Sequence, residues 1–228
     1  MKSLRRLAGD LRRAAGPGAW AQRSYSQEGE DLVVNRIIGN AGGGFYVDIG
    51  SHHPFRFSNT YLFYGKGWRG LCVDPLPGSA RLFKRWRPRD ICVEMGVSSD
   101  RSTLNYYMFN EPALNTFDGD LAKARDGVGG YRVTETRAIQ TDSLSAILDQ
   151  YVPKNTRIDF LTVDVEGLDL QVLKSNDWNR YRPRVITAEC LGSTLTSLEN
   201  DETARFMSQL GYVATAKTGQ SVIFVGKE

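Results

Sequence analysis

The sequence predicts an α/β protein built on a mostly parallel sheet with helices on both faces. Three observations carry this expectation. From residue 27 onward, short apolar runs alternate with segments of helical period, the pattern of strand–helix–strand units. An acidic residue stands at or near the carboxyl end of five of these runs: Asp48, Asp74, Glu94, Asp164 with Glu166, and Glu189. The chain closes on two strand-like segments, 212–216 and 221–225, joined by Lys217-Thr218-Gly219-Gln220. Such a hairpin sets one antiparallel strand into the sheet.

The elements follow in order. Residues 28–38 read as a helix with Leu32, Val33, Ile37 and Ile38 on its apolar stripe, ended by Gly39 and the 42–44 glycine run. Residues 45–49 form the first strand, and the 51–67 connection has room for one helix. The second strand, 70–73, stops at Asp74-Pro75. A basic amphipathic helix over 79–87 is stopped by Pro88, and 90–93 is the third strand. Residues 102–109 read as an extended insertion strand. Residues 110–136, rich in Gly, Asn and Asp, read as a long connection of the kind that forms lids or binding segments. A helix over 144–151, a strand over 158–163, a helix over 168–175, a strand over 184–188 and a helix over 202–210 lead to the closing hairpin.

The 228 residues suit one domain, 21–228 with an insertion at about 100–136, preceded by a basic arm over 1–20. That arm carries Lys2, Arg5, Arg6, Arg12 and Arg13 among Leu4, Leu7 and Leu11 at helical spacing. The expectation is a loose tail, with peripheral membrane contact through residues 1–15 as the sharper alternative. Net charge is +3, and 24% of residues are charged. This balance does not call for a nucleic-acid partner. No run of 18 apolar residues offers a membrane span. Three cysteines, Cys72, Cys92 and Cys190, are too few for a disulfide framework and suit a cytoplasmic home.

Ligands of open α/β sheets bind outside the carboxyl ends of the strands, where the acids gather here. Gly50 follows the first strand and lets backbone approach a ligand closely. Asp74 lies 24 residues beyond it, placed to accept the hydroxyls of a ribose. Dinucleotides and S-adenosylmethionine both use that arrangement. A dinucleotide also needs a G-x-G-x-x-G turn for its pyrophosphate. Only Gly50 is present, and the 42–44 run precedes the strand instead of following it. A crevice with Asp48, Asp74 and Glu94 better fits a nucleoside that carries a sulfonium cation.

At the level of motifs, the chain resembles the FkbM family of S-adenosylmethionine-dependent O-methyltransferases. The matching pieces are Ser26-Gln27-Glu28-Gly29-Glu30-Asp31, Tyr46-Val47-Asp48-Ile49-Gly50-Ser51-His52, Asn59-Thr60, Gly67-Trp68-Arg69-Gly70, Asp74-Pro75, Thr141-Asp142-Ser143-Leu144, and Asp164-Val165-Glu166-Gly167 with Glu189. Together they run over about residues 24–226. Where many relatives have Gly-Ala-Asn after the first strand, this chain has Gly50-Ser51-His52-His53-Pro54. The resemblance implies a Rossmann-like class I methyltransferase fold, with a seven-stranded, mostly parallel sheet and an antiparallel last strand. It implies methyl transfer to a hydroxyl of a sugar, a glycan or a small natural product. A nucleic-acid methyltransferase is the first alternative and an NAD-dependent oxidoreductase the second. Arg81, Lys84, Arg85, Arg87 and Arg89 make a basic face that is expected to be solvated, with contact to a lipid- or nucleotide-linked glycan as the alternative.

The resemblance also implies a site. Asp48 and Gly50 would border the methionine part of the cofactor, Asp74 the ribose, and Glu94 to Val97, with Gly96 among them, the adenine; Gln27 and Ser51 would be further cofactor contacts. Asp164 would face the sulfonium and the acceptor. A hydroxyl must lose its proton to react, which needs a general base or a metal. His53 and His52, the chain's two histidines, are candidate bases, with Asp164 and Glu166 beside them. Asp164, Glu166 and Glu189 are hard oxygen donors suited to Mg²⁺ or another divalent cation. Tyr106, Tyr107, Phe109 and Phe117 flank the insertion and could stack on a sugar ring.

Overall fold

The computed structural model describes residues 17–39 and 42–227. Most of the basic arm therefore lies outside the described residues. Seven strands form the main sheet: β1 (Phe45–Ile49), β2 (Arg69–Val73), β3 (Ile91–Val93), β7 (Phe160–Val163), β8 (Val185–Glu189), β9 (Tyr212–Lys217) and β10 (Ser221–Gly226). Their order is β3-β2-β1-β7-β8-β10-β9. All neighbours are parallel except β10, which runs antiparallel to both β8 and β9. The closing hairpin thus inserts the last strand of the chain between its two parallel neighbours, as the sequence predicts.

The period-two alternation of strand side chains sorts the core into two layers. Val47, Ile49, Leu71, Val73, Leu161 and Val163 pack on one face with Leu144, Ile147 and Leu148 of α5 (Leu144–Tyr151) and Val172 of α6 (Asp169–Lys174). Tyr46, Cys72 and Phe160 point the other way. They meet Val34 of α1 (Glu30–Ile38), Phe63 of α2 (Tyr61–Gly65) and Phe83 of α3 (Ser79–Trp86). Asp48, two residues after Tyr46, belongs to this second face. Beneath it lies a buried polar network. Arg87, 0% exposed, pairs with Asp90 at 2.7 Å and donates to Tyr46, Thr60, Ser58 and the Pro54 carbonyl.

The largest departure from the sequence expectation is the insertion. Residues 110–136 are not a long open connection. A second sheet of order β4-β6-β5 is built from β4 (Gly96–Ser98), β5 (Ser102–Phe109) and β6 (Val133–Ser143). Between β5 and β6 lie a 3₁₀ turn, Pro112–Leu114, and helix α4 (Gly119–Arg125). Asp118 caps α4, its carboxylate accepting from the amides of Asp120 and Leu121. β6 carries no apolar alternation because most of its first eight residues are exposed. Its hold on β5 is the backbone ladder from Ser102↔Thr141 to Phe109↔Val133. The remaining helix, α7 (Glu202–Gln209), covers the sheet beside β9 with Ala204 and Met207 in the core.

Candidate active site

A pocket opens at the carboxyl ends of β1, β2 and β7, lined by residues of those strand ends and of the insertion. Its floor is backbone. The amides of Gly50 and Ser51 both donate to the Val73 carbonyl, at 2.9 and 3.2 Å, and the Asp164 amide donates to the Ile49 carbonyl at 3.0 Å. Gly50 has φ +78°, and a Cβ there would stand 1.7 Å from the Asp164 carbonyl oxygen. Only glycine lets these strand ends meet.

Asp74 lies on the wall, 6% exposed. Its Oδ2 accepts from the His52 amide at 2.7 Å and its Oδ1 from the Leu76 amide at 2.8 Å. Burial pushes its carboxyl up to about 6 against the pull of these two bonds. The bond to His52 also accounts for that residue's left-handed backbone, φ +49°. The His52 ring lines the pocket. Its Nε2 lies 3.2 Å from Arg56 Nη1, and burial, then the Arg56 charge, holds its pKa down to about 4. The ring is therefore neutral at physiological pH.

Beyond the floor, β7 runs into Asp164-Val165-Glu166-Gly167 and β8 ends on Glu189. One carboxylate oxygen from each of Asp164, Glu166 and Glu189 lies within 4.8 Å of the others. Glu166 and Gly167 adopt φ +54° and +105°, and this tight bend turns the Glu166 side chain back into the pocket. Arg125 of α4 meets Glu166 Oε2 at 2.7 Å, and Thr116 Oγ1 donates to the Glu166 carbonyl at 2.7 Å. The insertion is thereby tied to the acids. Burial, then the neighbouring acids Asp164, Asp169 and Glu166, pushes Glu189 up to about 10. Asp164 is raised well above the carboxylate range by burial and then by Glu166. Burial raises Asp169 to about 7.

Of the residues the sequence singles out, Gln27, Gly50, His52, Asp74, Val97, Asp164 and Glu166 line this pocket. Gln27 reaches it because Asp31, 0% exposed, gathers Ser24 Oγ, Ser26 Oγ and the Tyr25 amide into one turn. Others stand aside for identifiable reasons. Asp48 faces α2, where its Oδ2 accepts from Thr60 Oγ1, and burial raises its carboxyl to about 6. The Ser51 side chain is buried, with its amide committed to Val73. His53 Nδ1 accepts from the amides of Phe55 and Arg56, and its ring packs edge-on against Phe55. This withdraws His53 from the position expected of a base. Glu94 is exposed and accepts from the Gly78 amide at the start of α3. Gly96 is packed beneath Phe117 and Thr141.

The insertion supplies much of what sequence reasoning leaves out. Asn115 and Thr116 line the pocket together with Tyr106 and Phe117, whose rings lie 4.7 Å apart. Arg125 carries no sequence signal, since it lies far along the chain from its partner. Asp169 does carry one, as it stands three residues after Glu166.

A parallel sheet with one reversed strand and an acid-fringed crevice at its strand ends define a nucleoside-cofactor enzyme of the Rossmann-like class. The description of the methyltransferase FkbM domain matches residues 48–214, most of the chain, and the protein belongs to that family. It is a methyltransferase, and the family implies S-adenosylmethionine as the methyl donor. No curated protein matches the chain. Among solved structures, it is similar to a TehB-like SAM-dependent methyltransferase from Corynebacterium glutamicum at 11% identity, over 96% of this chain and 97% of that one, with a TM-score of 0.43. No helix among the described residues is long and apolar enough to cross a membrane.

Proposed function

We propose that this protein is an S-adenosylmethionine-dependent O-methyltransferase acting on a hydroxyl of a sugar, a glycan or a small natural product. The observation that carries the reading is Asp74. It is buried at the end of β2 with both oxygens oriented by backbone amides, beside a floor without a pyrophosphate cradle. In this reading Asp74 accepts from the donor's ribose, Val97, Leu76 and Met95 flank the adenine, and the methionine part runs over Gly50 toward Gln27. Asp164 and Glu166 then face the sulfonium and the acceptor.

The acceptor oxygen attacks the methyl carbon as the carbon–sulfur bond breaks. The bonding pair stays on sulfur, which leaves as a neutral thioether. The hydroxyl proton passes to a pocket base. Alignment of oxygen, carbon and sulfur supplies much of the rate, because the donor is already activated. As proton acceptors, Asp164 and Glu166 are better placed than His53. His52 lines the pocket, but its Nε2 faces Arg56. Phe57 lines the pocket with the Arg56 guanidinium over its ring, and Glu111 holds that guanidinium in two hydrogen bonds. The exposed Arg81, Lys84 and Arg85 of α3 suit an acceptor held on an anionic carrier, such as a nucleotide- or lipid-linked sugar.

Calorimetric titration tests the donor site. S-adenosylhomocysteine should bind and NAD⁺ should not. Asp74→Ala should weaken S-adenosylhomocysteine by about tenfold or more, the cost of losing charge-assisted hydrogen bonds. Unchanged affinity in that variant would put the ribose elsewhere.

A further inference from the structure

We propose that Asp164, Glu166 and Glu189, supported by Asp169, form a binding site for one hard divalent cation at the acceptor end of the pocket. The inference concerns the same pocket as the proposed methyl transfer and deepens that reading, but cation binding is measurable without turnover. Three carboxylates from the ends of two adjacent strands bring oxygens within 4.8 Å of one another. Proximity alone would not make a site, since acids gather at many strand ends. The stronger observation is what these groups lack.

Glu189 is 7% exposed, and its Oε2 is buried without a hydrogen-bond partner. Asp169, 5% exposed, likewise has a buried Oδ1 without one, and its charge acts on both Glu189 and Asp164. A buried carboxylate oxygen with nothing to bind is costly, and a charged one far more so. Among the described residues the cation paired with these acids is Arg125, which is committed to Glu166 Oε2. The oxygens of Asp164 and Glu189 converge beside it with no positive partner among the described residues.

The donor set fits the ion. It is all oxygen, without the imidazole or thiolate that favours zinc or copper, and so suits Mg²⁺, Mn²⁺ or Ca²⁺. Asp164, Glu166 and Glu189 would supply ligand oxygens. Asp169, the first residue of α6, would add negative charge behind them. Asp164 and Glu166 also line the pocket, so a cation held there would sit where an acceptor hydroxyl arrives. Such a cation lowers the pKa of a hydroxyl it touches.

The test uses the full chain, stripped with chelator and titrated with Mn²⁺ while free Mn²⁺ is followed by electron paramagnetic resonance. Wild type should take up about one ion per chain, displaced by Mg²⁺ or Ca²⁺. Asp164→Asn and Glu189→Gln should each weaken uptake by at least tenfold, and Asp120→Asn, on exposed α4, should not. In chelator, Glu189→Gln should melt no lower than wild type, since it removes a buried repulsion. No saturable uptake by wild type at millimolar Mn²⁺ would overturn the proposal, as would wild-type affinity in Glu189→Gln. If Glu189→Gln does not fold, Asp164→Asn decides on the same criterion. S-adenosylhomocysteine binding by stripped protein that takes up no Mn²⁺ would sink the cation and keep the methyl donor. Mn²⁺ uptake without S-adenosylhomocysteine binding would do the reverse.

Discussion

Gly50→Ala should loosen the pocket and the fold together. Gly50 has φ +78°, where an L side chain costs roughly 1–2 kcal/mol. The new Cβ would also lie 1.7 Å from the Asp164 carbonyl oxygen, far inside any tolerated approach. That oxygen belongs to backbone and cannot swing away as a side chain would, so the ends of β1 and β7 must part. Parting them breaks the Asp164–Ile49 bond of 3.0 Å and strains the Gly50–Val73 bond of 2.9 Å, each worth about 1 kcal/mol net. The combined loss is about 3–4 kcal/mol. For a chain of this length each kcal/mol moves the melting temperature by about 2–4 °C, so a fall of about 6–16 °C is expected. Melting curves with and without S-adenosylhomocysteine measure it, and calorimetry should show weakened cofactor binding in the same variant. A melting temperature within about 2 °C of wild type with unaltered affinity would refute the account of the strand ends.

Two further outcomes follow from the buried polar groups. Burial raises Asp48 to about 6 from an ordinary 3.8, so between those pH values the folded chain keeps a proton that the unfolded chain has released. Stability from this group therefore falls as pH rises through that window and is level above it, by up to about 3 kcal/mol. Asp48→Asn cannot ionise and should gain on wild type in urea unfolding as pH goes from 4 to 7; a constant difference would contradict this. Arg87→Met leaves Asp90 buried without its cation, with the Tyr46 hydroxyl and the Gly70 amide still donating to it, and should cost about 3–5 kcal/mol. Arg87→Met with Asp90→Leu should recover much of that loss in denaturant titrations, and additive losses would argue against a direct pair.

The main sheet is legible in the sequence because its strands are buried on both faces. Runs such as Phe45–Ile49 and Val185–Glu189 are wholly buried and read as short apolar segments between turn residues. The last strand is legible for another reason: a short turn over residues 218–220 fixes its direction. The site is legible in part. Gly50, Asp74 and Asp164 follow directly from strand ends, and those ends form the floor and wall of the pocket. Asp48 shows the limit of that rule, since strand parity turns it toward Thr60 and away from the crevice. His53 shows another, because its backbone neighbours claim its nitrogen. Of the second sheet, β5 is legible as an extended run, whereas β6 is not, because it is held by backbone pairing and leaves most of its side chains in water. The Arg125–Glu166 contact spans a sequence distance over which no periodicity speaks.

No strand between residues 96 and 143 pairs with the seven-stranded sheet, yet this stretch sends Tyr106, Asn115, Thr116 and Phe117 into the pocket. Part of the pocket wall and the frame that fixes the register of the main sheet are thus separate stretches of one chain. A transplant of this stretch from a relative would leave every pairing of the seven-stranded sheet in place. Selectivity can drift there while the strand ends beneath stay the same.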